Sequence, residues 1–202
     1  MKLYYSPGAC SLAPHIALHE AGLSFEPVKV DLRAKKLASG EDYWAINAKG
    51  SVPALGLDDG EVLTENAAVL QYIADQTPSS GLLPQLGDFR RYRVIEWLNY
   101  VATELHKGFA PLWNPTSSPD AKDAARELLA KKFDYVEQKL GDGPYLMGGS
   151  FTLPDAYLFV ILSWTKIHNI DLARWPGLVT FSERMRERPG VQAAMRTEGL
   201  VQ

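Results

Sequence analysis

The stretch MKLYYSPGACSL, residues 1–12, decides how this chain begins to fold. Residues 2–5 are predicted to form a short strand, and Pro7, Gly8 and Ala9 form the turn that ends it. Residues 11–21 are predicted to form a helix, because Leu12 and Ile16 repeat at helical spacing. The chain therefore opens with a strand, a tight turn and a helix, and its single cysteine follows directly after the turn.

The next 55 or so residues continue this alternation of short strands and helices. Residues 25–30 are predicted to form an edge strand, since Pro27 cannot donate a hydrogen bond to a ladder. Residues 54–57 and 61–63 flank DDG at 58–60, which is a hairpin signal. Residues 65–75 are predicted to form a second helix. This order predicts a small α/β domain with a mixed four-stranded sheet and helices packed on it.

After a segment rich in Pro, Ser and Gly, the sequence shows no further strand patterns. We expect an N-terminal domain at residues 1–78, a linker at 79–87 and an all-helical C-terminal domain at 88–202. One helix should begin with a capping box, in which Asp155 reaches back to the backbone of Thr152. The predicted helices of this domain are 88–109, 121–140, 154–167, 178–187 and 191–197.

Composition excludes several classes of protein. Of 202 residues, 46% are hydrophobic and 22% charged, as in soluble globular proteins. The net charge of −3 gives no basic surface for nucleic acid or anionic membranes. The longest apolar stretch, 158–162, is far below the roughly 20 residues of a membrane span. Ser6 and Pro7 interrupt the short apolar run before Cys10, which excludes a lipoprotein leader and favours a cytoplasmic protein with a reduced thiol.

Cys10 is a candidate reactive residue because of its position. A thiol at a helix N-terminus is more acidic than an ordinary thiol, and the thiolate is the nucleophile. A buried, inert cysteine is an equally good interpretation at this point. Ala13 stands where a second cysteine of a Cys-x-x-Cys motif would be, so redox chemistry would need an external thiol. A single cysteine, with His15, His19 and His168 outside any ligand spacing, predicts no metal site.

Two further segments have the features of a peptide-binding site. Val52, directly before Pro53 and a strand, can offer its backbone N–H and C=O to an extended peptide. Glu65 and Asn66 open a helix whose free N–H groups can bind a carboxylate while Glu65 binds an ammonium group. Ordinary helix capping by Thr64, Glu65 or Asn66 explains the second segment equally simply.

The long helix after the linker carries a polar stripe opposite its apolar face. At 100° per residue its members share one arc: Glu96, Asn99, Thr103, His106 and Lys107. A solvated surface is the common meaning of such a stripe. Alternatively, the stripe lines a cleft, where cations at His106 and Lys107 would stabilise a thiolate.

Taken together, these segments resemble a bacterial beta-class glutathione S-transferase over the whole chain. The matching pieces are residues 1–12, 50–55 (GSVPAL), 63–66 (LTEN), 104–107 (ELHK) and the capping segment 152–159. The resemblance implies a thioredoxin-like N-terminal domain followed by an all-helical domain, a homodimer, and a cis peptide bond before Pro53. It also implies glutathione as a co-substrate, with no other cofactor and no metal.

The resemblance implies specific site residues. Cys10, His106 and Lys107 would be catalytic. The implied glutathione contacts, partly from a neighbouring subunit, are Cys10, Lys35, Val52, Pro53, Glu65, Asn66, Asn99, Thr103, Glu104, Leu105 and His106. Two positions depart from the family, which often has Asn-Pro where this chain has Asn47-Ala48, and Gly or Ser where it has Asn66.

Three functions fit this pattern. The first is conjugation of reduced glutathione to small hydrophobic electrophiles, a detoxification reaction, with Phe109, Leu112 and Trp113 near the electrophile. The second is glutaredoxin-like thiol–disulfide exchange, in which Cys10 forms a mixed disulfide with glutathione. The third is a non-catalytic binding or scaffold module, since a fold alone does not assign a function.

Overall fold

A computed structural model describes residues 1–201 as two compact units. The first unit comprises Met1–Pro84 together with the segment from Glu187 onward, and the second comprises Gln85–Arg186. The first boundary lies close to the expected linker. The segment from Glu187 onward was expected to belong to the C-terminal helical domain, but it packs with the first unit.

The first unit contains a mixed sheet with strand order β3-β2-β1-β4-β5. The central strand β1 pairs parallel with β2 and antiparallel with β4, and β5 and β3 each pair antiparallel at an edge. The strands are β1 (Lys2–Tyr5), β2 (Glu26–Asp31), β3 (Lys36–Leu37), β4 (Ala54–Gly56) and β5 (Val62–Thr64). The sheet therefore has five strands, not the four expected, because β3 is only two residues long and has no periodicity to detect.

β2 is not the edge strand that Pro27 predicted, because β3 pairs beyond it in the sheet. Pro27 lies opposite Leu3 of β1, while β3 pairs only with Val30 and Asp31 at the end of β2. Pro27 is thus outside the stretch that β3 covers, where a missing N–H donor is tolerated.

Within residues 1–201, eight α-helices complete the two units. They are α1 (Leu12–Glu20), α2 (Asn66–Gln76), α3 (Phe89–Tyr100), α4 (Ala110–Trp113), α5 (Pro119–Leu140), α6 (Leu153–Ser163), α7 (Pro176–Glu187) and α8 (Pro189–Thr197). In the first unit, α1 packs against α2 and α8, and its residues from Leu12 to Leu18 are all buried.

The first predicted helix of the second unit is interrupted. α3 ends at Tyr100 and is followed by a π-helical segment, Val101–His106, and a 3₁₀ turn, Lys107–Phe109. π-Helical turns inside longer helices are rare and occur often at functional sites. This interruption falls within the segment in which most of the expected second-unit site residues lie.

The buried helix α6 begins at the expected capping segment. The Asp155 carboxylate is fully buried and accepts hydrogen bonds from the Thr152 backbone N–H (2.8 Å), the Thr152 hydroxyl (2.9 Å) and the Leu146 N–H (2.8 Å). The predicted reach of Asp155 back to Thr152 is confirmed.

Within residues 1–201, no helix combines the length and apolar character needed to cross a bilayer. In the same residues, no three His, Cys, Asp or Glu side chains are grouped so that they could hold a metal ion.

Candidate functional site

The turn that carries Cys10 is closed by local hydrogen bonds. The Ser11 hydroxyl accepts from the Ser6 N–H (3.1 Å) and donates to the Ser6 carbonyl (3.3 Å). Gly8 has φ +69°, a conformation that favours glycine. Cys10 is partly exposed at the start of α1, so it is not the fully buried, inert cysteine considered above.

Two of the expected glutathione contacts meet Cys10 directly. The Cys10 thiol donates to the Val52 carbonyl (3.2 Å), and the Asn66 amide donates to the Cys10 carbonyl (3.1 Å). The Val52–Pro53 peptide bond is cis, as expected. Three segments that are distant in sequence therefore converge on one point, at the start of α1, the start of β4 and the start of α2.

The residue before Val52 is held by two side chains that the sequence did not single out. The Ser51 carbonyl accepts from the Tyr43 hydroxyl (2.8 Å) and the Asn47 side chain (2.7 Å). Burial raises the pKa of Tyr43 to about 12, so its hydroxyl stays protonated and able to donate. An apolar cluster of Val30, Leu37, Tyr43, Val52 and Ala54 fixes this loop from below.

Lys35 is positioned beside the same loop. Its ammonium donates to the Gly50 carbonyl (2.6 Å) and lies 5.6 Å from the centre of a Trp44 ring. Gly50 has φ +60°, and a Cβ there would lie 2.6 Å from the Trp44 ring, so glycine is required. The arrangement places a positive charge next to the segment that leads to Val52.

Glu65 precedes α2 in a backbone conformation with φ +72°. A non-glycine residue in this region costs on the order of 1–3 kcal/mol, and such residues cluster at binding sites. Its exposed carboxylate pairs with Lys49. Asn66 is buried and bonds to Cys10, so neither side chain acts simply as an N-cap.

The remaining expected residues lie in the second unit. Asn99 and Thr103 are exposed, and the Thr103 hydroxyl donates to the Asn99 carbonyl (3.0 Å). Glu104 pairs with Lys132 (2.9 Å), which lowers the pKa of the Glu104 carboxyl. Leu105 is fully buried, so its side chain belongs to the core.

The expected polar stripe is divided between two cavities because the π-helical segment changes the residue spacing. One cavity of about 700 Å³ is lined by Glu96, Thr103 and Glu104 together with aromatic side chains such as Tyr100 and Tyr135. The other, of about 390 Å³, is lined by His106, Lys107, Ala110, Trp113 and Asn114. A constant 100° per residue therefore fails across residues 101–109.

His106 differs from the expected cation. Its Nδ1 shares a hydrogen bond with the Tyr157 hydroxyl (2.6 Å), and its ring contacts Trp164 edge-on. Burial, followed by the charge of Lys107, lowers the pKa of His106 to about 4. The imidazole is therefore neutral at pH 7, and Lys107 supplies the positive charge of this pair.

The expected apolar residues of the electrophile site are also divided. Trp113 is 48% exposed and lines the smaller cavity, whereas Phe109 is fully buried and Leu112 nearly so. Phe109 packs against Phe133 and Trp164 in the core, so the interpretation of its side chain as a surface for a ligand was wrong.

Tyr157 is a site residue that sequence reasoning missed. Its hydroxyl lies within an otherwise apolar helix, which is a recognisable signal because a buried Tyr hydroxyl normally has a partner. The signal was present, but the sequence did not identify His106 as the partner.

Comparisons with known proteins cover nearly the whole chain. A family model described as glutathione S-transferase, N-terminal domain, matches residues 1–75, and its C-terminal counterpart matches residues 100–189. Glutathione S-transferase GstA of Escherichia coli O157:H7 is 50% identical over 200 residues, covering 99% of this chain and 100% of that protein.

Solved structures give the same result. A ternary complex of BphK, a bacterial GST, has a TM-score of 0.97 at 53% identity, covering 98% of this chain and 100% of that one. A sphingomonad glutathione S-transferase complexed with glutathione and a beta-class enzyme of Sphingomonas chungbukensis each have a TM-score of 0.96 at 47% identity, covering 100% of both chains. The chain belongs to the glutathione S-transferase family, and its resemblance to the bacterial beta class is confirmed.

Proposed function

We propose that this protein is a glutathione transferase that conjugates reduced glutathione to small hydrophobic electrophiles, a detoxification reaction. The observation that carries the proposal is the meeting of Cys10, the Val52 carbonyl and Asn66 within hydrogen-bond distance. A sphingomonad relative at 47% identity has been solved in complex with glutathione. Glutathione is a co-substrate in this proposal, and no metal or further cofactor takes part.

The first unit offers groups that suit each part of an extended, doubly carboxylated peptide. The backbone of Val52 pairs with the central residue in the manner of an added strand. The N–H groups that open α2 bind a carboxylate, with Glu65 beside them for an ammonium group. Lys35 supplies a cation for the second carboxylate.

The reaction is a displacement at an electrophilic carbon. The glutathione thiol loses its proton to solvent, its sulfur forms a bond to carbon, and the leaving group departs with the bonding electron pair. Only the thiolate attacks well. The N–H groups at the start of α1 favour a thiolate near Cys10. We assign Cys10 and Lys107 to stabilisation of the glutathione thiolate. Because His106 is neutral, we assign it a hydrogen-bonding role instead of a charged one.

The second unit supports the remaining features of the proposal. The exposed Trp113 ring offers an apolar surface of the kind that hydrophobic electrophiles bind. Asn99, Thr103 and Glu104 are proposed glutathione contacts, partly from a neighbouring subunit, whereas the expected contact at Leu105 is dropped because that residue is fully buried.

A homodimer is part of the proposal. Leu86, Phe89 and Tyr92 are 84%, 66% and 55% exposed near the start of α3, a surface typical of a subunit interface. Sedimentation equilibrium tests it, and a monomer at micromolar concentration would contradict it. A cytoplasmic location is also proposed, since the chemistry needs reduced thiols.

The test of the function measures glutathione binding and turnover. We expect calorimetry to give an affinity tighter than about 1 mM. We expect conjugation to 1-chloro-2,4-dinitrobenzene to exceed the uncatalysed rate and to saturate with glutathione. Absence of both would reject the proposal. In Cys10→Ala, near-complete loss of turnover assigns Cys10 to thiol activation, whereas retained turnover assigns activation to the other groups.

Thiol–disulfide exchange is a second candidate, favoured by the partial exposure of Cys10. In this reaction the Cys10 thiolate attacks one sulfur of oxidised glutathione, forms a mixed disulfide and releases the other half as a thiolate. Intact mass spectrometry should then show one glutathionyl adduct on the wild-type protein and none on Cys10→Ala. An unmodified wild-type protein would exclude this candidate.

A further inference from the structure

A buried carboxylate connects the C-terminal segment to the turn before Cys10. Glu198 directly follows α8, and its side chain is fully buried. One carboxylate oxygen lies 2.8 Å from His15 Nδ1, and the other accepts the Gly8 N–H at 2.9 Å. Carboxylates are rarely buried without such partners, because desolvation of the charge is costly.

The two partners of Glu198 lie on either side of Cys10. Gly8 precedes the cysteine within the turn, at a positive φ that fixes the turn geometry. His15 follows it within the buried part of helix α1, Leu12 to Leu18. Glu198 therefore bonds to the turn and to the helix at once, and this fixes the orientation of one relative to the other.

The imidazole of His15 is itself immobilised by its neighbours. It stacks on His19 with ring centres 5.3 Å apart, contacts Phe25 edge-on at 5.3 Å, and packs against Tyr5 at 5.4 Å. Burial and the negative charge of Glu198 raise the pKa of the Tyr5 hydroxyl. With this ring packed in place, the carboxylate bonds to both His15 and Gly8.

A second hydrogen bond joins α1 and α8 at the end away from Cys10, and it provides a control. Arg188, directly before α8, donates through Nε to Glu20 at the end of α1 (3.1 Å). α8 thus runs antiparallel to α1 and is bonded to it at both ends. The Arg188–Glu20 link joins the same helices as Glu198 does, but at the end away from the turn.

We propose that Glu198 is a positioning residue for Cys10, acting through the Gly8 N–H and His15. The carboxylate holds the turn so that the Cys10 thiol lies at the start of α1 and beside Val52. The C-terminal segment is therefore part of the thiol site, although it carries no group that touches the reactants. The effect on turnover rests on the proposed function; the effect on the thiol itself does not.

The experiment compares Glu198→Ala, Glu198→Gln and the control Arg188→Gln. The first readout is the rate of Cys10 alkylation by iodoacetamide across pH, with no glutathione present. We expect a rate about tenfold lower at pH 7 in Glu198→Ala, with the midpoint of the profile moved to higher pH, because a thiol displaced from the start of α1 loses the N–H groups that favour its thiolate. Glu198→Gln should stay within about twofold, since its amide can still accept from Gly8 and donate to His15.

The control separates positioning from stability. Arg188→Gln should lower Tm yet alkylate within about twofold of the wild-type rate. For turnover, Glu198→Ala should lower kcat more than it raises KM for glutathione. A folded Glu198→Ala protein with the wild-type alkylation profile would overturn the proposal.

A second measurement covers the case in which Glu198→Ala fails to fold. Hydrogen exchange of the Gly8 amide in the wild-type protein should be slow, because the amide donates to a buried carboxylate. Rapid exchange of this amide in the folded wild-type protein would overturn the proposal. If the chain proved not to conjugate glutathione, alkylation and exchange would still report on Glu198, so the two failures remain distinguishable.

Discussion

At His106, burial and the neighbouring Lys107 ammonium both disfavour the charged imidazole and lower its pKa to about 4. In the unfolded chain this histidine has its ordinary pKa of about 6.5. Between these two values the unfolded chain binds more protons than the folded one, so the free energy of unfolding rises with pH across this window and levels off above it. Stability from this residue is lost as pH falls from 6.5 to 4.

His106→Asn should remove this part of the pH dependence. Between pH 4 and 6.5, the free energy of unfolding of the wild-type protein should rise on the order of 2 kcal/mol more than that of the variant. Urea unfolding at several pH values measures it. Carboxyl groups, and the lowered pKa values of His19 and His168, affect both proteins alike and cancel. Parallel curves for the two proteins would contradict the assignment.

Some residues of the site could be predicted from the sequence, and others could not. Val52 and Asn66 could be anticipated as site residues because their motifs are visible in the sequence, but their hydrogen bonds to Cys10 were not predicted. The neutral state of His106 could not, because it depends on burial by side chains from another helix. The link from Glu198 to Gly8 spans 190 residues and has no local signal.

Among the elements, the 3₁₀ turn at Lys107–Phe109 lies directly against α5. A Cβ at Gly108 would lie 2.7 Å from Leu129 Cδ2. Gly108→Ala should therefore lower the free energy of unfolding by about 1–3 kcal/mol through overpacking, despite the better helix propensity of alanine. Thermal or urea unfolding monitored by circular dichroism measures the loss.

A double-mutant cycle with Leu129→Ala provides the control. That substitution alone should cost about 2–5 kcal/mol by opening a cavity. In its background, Gly108→Ala should cost little or become favourable, since the obstructing methyl group is gone. An equal cost in both backgrounds would show that Leu129 is not the cause.

Elements with strong periodicity were predicted well and irregular ones were not. α5 matches its predicted range closely, whereas α6 ends at Ser163, before the predicted end at residue 167. The Asp155 capping contact could be anticipated from TLPD at 152–155. The segment after Tyr100 departs from the α-helical spacing on which the prediction relied. β3 is held by pairing with β2 and by the packing of Leu37 in the Tyr43 cluster, which is tertiary information.

For the whole molecule, α8 belongs energetically to the first unit. It buries Val191 and Ala194, packs against α1, and leads to the buried Glu198. Truncation after Arg186 should therefore destabilise the first unit selectively, since it exposes one face of α1 and leaves His15 without its carboxylate. Hydrogen exchange of the β1 and β2 amides should accelerate by orders of magnitude, while that of α5 and α6 should change far less.

Truncation after Leu200 is the matched control for this experiment. It keeps α8 and Glu198, so β1 and β2 should exchange at wild-type rates. Uniform acceleration in both units after the longer truncation would contradict a selective effect on the first.

The first unit combines a segment before the second unit with a segment after it, and this affects the order in which the units can fold during synthesis. Ribosomes make a chain from its N-terminus, and domains generally fold as units in that order. The second unit is contiguous, so all of it is synthesised before α8. The first unit receives α8 and Glu198 only after that, so its cysteine turn is completed later than the second unit. A nascent chain would therefore carry Cys10 throughout synthesis of the second unit without the carboxylate that orients it.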